Sequence, residues 1–254
     1  MTKISPDDAY EIVAGTAPTP LILLCDHASS AVPPEYGDLG LAQAQFARHI
    51  AYDIGARDLT LGLAGRLGSP AVLSRFSRLL IDPNRGLDDP TLIMRISDGA
   101  AVPGNRAVDE AERQRRIARF HAPYHQAISE TIRATQGQGL RPLIVSIHSF
   151  TPVWRGWPRP WHVGILWDRD EAVAQAMIRG FAAQGDLVVG DNEPYHGAIE
   201  GDTLNTHGTR PGLPHALIEV RQDLIAAKSG VDDWVERVAR VIEPIMNDLR
   251  RDPD

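Results

Sequence analysis

The sequence predicts an α/β fold: one domain, with a central sheet between helices. Two observations carry the prediction. Short apolar runs with the length of strands alternate with longer amphipathic stretches of helical periodicity, the pattern of an α/β sheet. The chain has 254 residues, 43% hydrophobic and 23% charged, without repeat, low-complexity tract or linker. That suits one large folded unit with a sizeable core rather than a disordered chain.

The elements follow in order. Leu21–Cys25 reads as a short buried strand that stops at Asp26-His27, and Pro33-Pro34 marks the loop after it. Phe46, Ile50, Ile54, Leu59, Leu63 and Leu67 recur at helical spacing, which predicts a helix over 41–67. Residues 70–76 and 79–81 look extended, and Pro83 and Gly86 break the chain around Asn84-Arg85. A loop of small residues covers 99–105. A long helix is expected from 108 to about 135, closed by Gly137 and Gly139. The strand over 142–150 runs into His148-Ser149, and four of the five tryptophans lie between Trp154 and Trp167. Strands over 161–167, 187–189 and 216–220 and helices over 171–183 and 231–249 complete the reading. Residues 190–214, polar and glycine-rich, are too long for a plain connection and suggest a functional loop.

Composition excludes several partners. A net charge of −7 disfavours nucleic acid, which needs clustered Lys and Arg. No apolar run approaches the roughly 20 residues that span a bilayer. The polar start MTKISPDDAY lacks a secretory signal, so a cytoplasmic protein is expected. The single cysteine, Cys25, cannot form an internal disulfide or a Cys-rich zinc site and reads as a buried thiol.

Ligands of open α/β sheets collect at the carboxyl ends of strands. Three such ends carry reactive side chains: Asp26-His27, His148-Ser149 and Glu219. Two imidazoles and a carboxylate at one sheet edge suit a zinc ion with a base beside it; a strand-end histidine held by structural hydrogen bonds is the alternative. His121 and His125 have the i, i+4 spacing of a zinc-protease helix, but Ala122 stands where that motif needs Glu and Pro123 disturbs the helix. His196 and His207, in the polar loop, are candidates for substrate contacts, whereas His49, His162 and His215 have no evident partner. Arg85 and Asn84, pinned by Pro83, offer donors that match a carboxylate bidentately, with Asp82 to orient them. A surface Arg–Asp pair is the competing account. Phosphate-loop, nucleotide and serine-hydrolase signatures are missing.

At these residues the chain resembles the N-formylglutamate amidohydrolase family. The matching stretches are LLCDHASSAVPPEY, HIAYDIGARDL, SRLLIDPNR, HAPYH, IVSIHSF, VGDNEPY and HGTRPGLPHALIEVRQD, spread over roughly residues 20–225. The resemblance implies a single catalytic domain, 1–254, with a mixed central sheet flanked by helices, like the zinc carboxypeptidases among the phosphorylase/hydrolase-like folds. It implies one zinc ion, a small acidic N-acyl amino acid as substrate, and hydrolysis of N-formyl-L-glutamate to formate and L-glutamate, a late step of histidine degradation. It makes His27 and His148 zinc ligands, Glu219 the general base, Arg78 a candidate for holding the oxyanion, and Asn84-Arg85 the carboxylate clamp. Arg210, in the polar loop, is a further candidate for a carboxylate contact. One position departs from the zinc carboxypeptidase pattern. Three residues after the first His, where those enzymes place Glu, stands Ser30. The third ligand is therefore expected from Asp53, in the helix after the first loop, or else from Asp26. Other acidic N-acyl amino acids or small peptides are alternative substrates, and a non-catalytic binder of acidic metabolites is the rival from another class.

Overall fold

The computed structural model describes residues 9–251; the polar start of the chain, residues 1–8, lies outside them. The strands are β1 (Tyr10–Val13), β2 (Leu21–Cys25), β3 (Ala71–Ser74), β4 (Ile96–Ser97), β5 (Ala100–Ala101), β6 (Leu143–Phe150), β7 (Val153–Trp154), β8 (Trp157–Pro158), β9 (Val163–Leu166), β10 (Val189–Asp191) and β11 (His215–Arg221). The helices are α1 (Ala56–Leu67), α2 (Glu110–Arg116), α3 (Ala122–Gln136), α4 (Glu171–Ala182) and α5 (Lys228–Arg251).

Seven strands form one sheet in the order β1-β3-β2-β6-β11-β9-β10. β3, β2, β6 and β11 run parallel, while β1 and β9 pair antiparallel with β3 and β11. The sheet is therefore mixed. Its central strands are buried on both faces, as helix-covered parallel strands must be. On one face Leu23, Ile147, Ile218 and Val220 pack with Leu59, Met177 and Val238 of α1, α4 and α5. On the other, Ile22, Leu24 and Ile144 meet Tyr124 and Ile128 of α3. A third cluster, built from Phe46, Ile50, Phe76, Leu80 and Phe120, lies under the long loops.

Three expectations are corrected. The helix predicted over 41–67 begins only at Ala56, with a single 3-10 turn at Gln43–Ala47 before it. Gly55 has φ +80°, and a Cβ there would stand 2.2 Å from the Ile225 carbonyl oxygen, so the chain bends at a point of close approach. Phe46 and Ile50 keep their helical spacing but bury in the loop cluster. Residues 79–81 form a buried turn rather than a strand; a short apolar run reports burial, not conformation. The long helix is divided into α2 and α3 by a π-helical segment, Ile117–His121, which ends two residues before Pro123.

Candidate metal and catalytic site

β2 ends at Cys25, which places Asp26 and His27 at the carboxyl edge of the sheet. On the neighbouring strand His148 stands in register with Glu219 of β11, so the two side chains share a face. Asp53 arrives from the loop before α1, not from within the helix as expected, because Gly55 delays the first turn. Its amide donates to the His27 carbonyl at 3.0 Å, which ties the loop to the end of β2.

These segments bring three buried side chains together. One ligand atom from each of His27, Asp53 and His148 lies within 4.8 Å of the others. Asp53 Oδ2 is 2.8 Å from His148 Nδ1 and 3.4 Å from His27 Nδ1. The remaining nitrogen of each ring meets a second carboxylate: His27 Nε2 is 2.7 Å from Asp82 Oδ1, and His148 Nε2 is 2.9 Å from Asp26 Oδ2. Asp26, the other candidate for a third ligand, thus lies behind His148. It accepts from the hydroxyls of Thr203 (2.6 Å), Ser146 (2.7 Å) and Tyr124 (3.0 Å). Asp82 accepts from Arg78 Nη2 at 2.8 Å and from the Asn84 amide at 2.9 Å. Imidazoles backed by hydrogen-bonded carboxylates are oriented and made more basic, the usual surroundings of metal-binding histidines.

The charges are interdependent. Burial alone would raise the Asp53 and Asp26 carboxyls; the histidines beside them outweigh it and hold both below the ordinary range. Asp82 is likewise held down, chiefly by Arg78 and His27. Burial disfavours a charged His148, yet Asp26 and Asp53 lift its pKa well above the ordinary value. The same negative field attracts a divalent cation.

Glu219 differs from the other carboxylates. It is 6% exposed, and its Oε2 has no hydrogen-bond partner. Arg221, two residues along the strand, pairs with Asp223 at 2.8 Å and leaves Glu219 unbraced. Burial, with Asp53 adding to it, pushes the Glu219 pKa up to about 7 against the opposing pull of His148, His27 and Arg78.

Beyond Glu219 opens a cavity of about 490 Å³, whose wall includes Arg78, Asn84, Arg85, His196, Trp154 and Tyr195. Arg78 is anchored by Asp82, with Nη1 3.5 Å from Asp53 Oδ1. Asn84 Oδ1 accepts from the Thr203 amide at 3.1 Å, and Arg85 Nη1 donates to the Asn84 carbonyl at 2.8 Å. Tyr195 reaches the cavity because its loop lies directly on β9: a Cβ on Gly164 would stand 1.9 Å from the Glu193 carbonyl oxygen. The Tyr195 hydroxyl is held at 3.0 Å by Arg159, a buried residue that sequence reasoning passed over.

Two predicted substrate contacts are placed elsewhere. His207 and Arg210 line a separate recess of about 850 Å³ with His121, His125, Asp88 and Glu200. Arg210 there pairs with Glu200 at 2.5 Å, and His207 Nε2 lies 2.9 Å from His125 Nδ1. Their loop folds back over α3, which spacing along the chain does not disclose. His121 and His125 also stand apart from the triad.

A family model described as N-formylglutamate amidohydrolase matches residues 19–226, a span that contains the whole site. The chain belongs to the N-formylglutamate amidohydrolase family. It is an amidohydrolase, a hydrolase acting on an amide bond. A solved structure of a gene product from Agrobacterium tumefaciens is 35% identical, with TM-score 0.88 over 94% of this chain and 97% of that one. N-formylglutamate amidohydrolase from Ralstonia eutropha is 22% identical and shares the fold, with TM-score 0.75 over 96% of this chain and 98% of that one. A search of curated proteins found no match.

Proposed function

We propose that this family member is a zinc-dependent enzyme that hydrolyses N-formyl-L-glutamate to formate and L-glutamate. One observation carries the proposal: an unpaired, buried Glu219 carboxylate beside a buried His27–Asp53–His148 triad. Two imidazoles and one carboxylate, each imidazole backed by a further carboxylate, form a donor set that suits zinc with a position left open. Zinc held there would polarise the amide carbonyl and acidify a water molecule.

The chain's own groups account for the rest. Glu219, its pKa raised to about 7, takes the proton of the attacking water and returns it to the leaving nitrogen. Arg78, fixed by Asp82, donates toward the oxygen that becomes negative in the tetrahedral state. Arg85 and Asn84, in the wall of the same cavity as the base, bind a substrate carboxylate. The proposed substrate is a small acidic metabolite, and the proposal includes a cytoplasmic site of action. Among the described residues no helix is long and apolar enough to cross a membrane.

A second reading keeps the chemistry and changes the acyl group. A cavity of about 490 Å³ has room for more than a formyl group. A panel of N-formyl, N-acetyl and longer N-acyl derivatives of glutamate, aspartate and glutamine, assayed for released amine with and without added zinc, separates the readings. The expected result is zinc-dependent turnover, highest for N-formyl-L-glutamate. Turnover of no member, or undiminished turnover in zinc-depleted protein, would refute the proposal.

A further inference from the structure

The motif His121-Ala122-Pro123-Tyr124-His125 takes no part in the metal triad, yet its geometry is closely defined. His121 Nε2 lies 3.0 Å from the Arg85 carbonyl oxygen, and His125 Nε2 lies 2.9 Å from the Pro83 carbonyl oxygen. A carbonyl oxygen only accepts, so both histidines carry their proton on Nε2. The Nδ1 of His125 is then an acceptor. It lies 2.9 Å from His207 Nε2, which must donate to it. His121 and His125 stack with centroids 4.2 Å apart, and His207 extends the stack edge to edge, nearly coplanar with His125 across their hydrogen bond, with centroids 5.1 Å apart. Burial lowers each of the three pKa values to about 4, so the array is neutral at neutral pH.

Two irregularities of the backbone deliver these rings. His121 ends the π-helical segment Ile117–His121, and His207 lies within a second one, Asn205–Thr209. Such turns are rare, and they occur disproportionately at functional sites. Here both serve one stack. The carbonyls it holds flank Asn84, and the third carbonyl of the segment, that of Asn84, accepts from Arg85. Every carbonyl of Pro83-Asn84-Arg85 is therefore fixed. One residue upstream, Asp82 holds His27. The stack ties this segment to α3, and its three rings line the separate recess, not the cavity.

We infer that His121 and His125, supported by His207, are positioning residues that set the Asn84-Arg85 clamp at a fixed distance from the reacting centre and so determine affinity for the substrate carboxylate. The inference rests on the proposed reaction for the identity of that carboxylate. Its geometric content stands independently. Neither histidine touches substrate; each acts through a backbone carbonyl.

Paired variants test it. Gln places an amide N–H near the position of Nε2, whereas Leu keeps the bulk and removes the donor. His125→Leu should raise KM for N-formyl-L-glutamate, and the dissociation constant of L-glutamate measured by calorimetry, by roughly 10–100-fold while kcat changes by less than about 3-fold. Zinc content should not change, and His125→Gln should recover most of the lost affinity. His121→Leu and His121→Gln repeat the comparison if His125→Leu does not fold. Nitrogen-15 NMR of the wild-type imidazoles should show Nε2 protonated and Nδ1 bare on His125. Leu variants with wild-type KM and glutamate affinity, Gln variants as impaired as Leu, or a protonated Nδ1 on His125 would overturn the inference. If the wild type hydrolyses no N-acyl amino acid, the proposed reaction fails, and the glutamate affinities and the NMR still judge the stack.

Discussion

Glu219→Gln distinguishes a working base from a structural carboxylate in two independent ways. Gln keeps the shape and neutralises the charge. A base that can no longer accept a proton should reduce kcat by about 10²–10⁴-fold while zinc stays bound. The second consequence concerns stability. Glu219 is buried, with its Oε2 unpartnered, and its pKa rises from 4.5 to about 7. The difference corresponds to on the order of 3 kcal/mol disfavouring the ionised form. The sign follows from linkage. A carboxyl whose folded pKa is raised binds its proton more tightly in the folded state, so stability is lost as pH rises from about 4.5 through about 7. Above pH 7 the wild type carries the full penalty and the Gln variant does not. In zinc-free protein the variant should therefore be the more stable at pH 8, with the difference fading toward pH 5. Urea unfolding at both pH values, with turnover and zinc content from the same preparation, measures all of this. A zinc-loaded Gln variant with near wild-type kcat would remove Glu219 from the mechanism. A variant less stable than wild type at pH 8 would refute the unpaired buried carboxylate.

Three further outcomes are expected. His27→Ala or His148→Ala should abolish tight zinc binding, and Asp26→Asn, which perturbs the support of His148, should weaken it by about 10–100-fold; elemental analysis and competition with a chelator read both, and full zinc occupancy in either His variant would eliminate the triad as the site. Arg85→Lys should impair turnover of an acidic substrate with zinc retained, and amidation of the substrate's α-carboxylate should impair the wild type by a similar factor but cost the variant little further; simple addition of the two losses would mean that Arg85 is not the clamp. His125 titrates near 4 in the folded protein, against 6.5 for an ordinary histidine, so its contribution to stability is complete above about 6.5 and is lost as pH falls toward 4. The stability advantage of the wild type over His125→Gln should accordingly shrink between pH 7 and pH 4, and a constant difference in urea midpoint would contradict a neutral buried imidazole.

The fold class and the chemical character of the sheet edge are legible in the order of residues alone. β2, β6 and β11 are runs of apolar residues that bury wherever the chain places them, and polar residues that end or interrupt such runs, Asp26, His27, His148 and Glu219, can only stand at a rim or form a site. The motif around Asn84-Arg85 was equally legible, because Pro83 restricts the backbone locally. Tertiary structure alone decided which carboxylate meets which imidazole. Asp53, Asp82 and Asp26 are alike in sequence, but the close approach of Gly55 to Ile225 turns Asp53 toward the triad, whereas Asp82 and Asp26 end behind the histidines. Spacing could not place His207 on α3 or separate Arg210 from the cavity, since the loop's return path depends on packing over residues distant in the chain. Nor could it show that Arg221 prefers Asp223 and leaves Glu219 unpaired. Local patterning fixes which side chains leave the apolar core; the close packing of loops against the sheet fixes where they go and what they face.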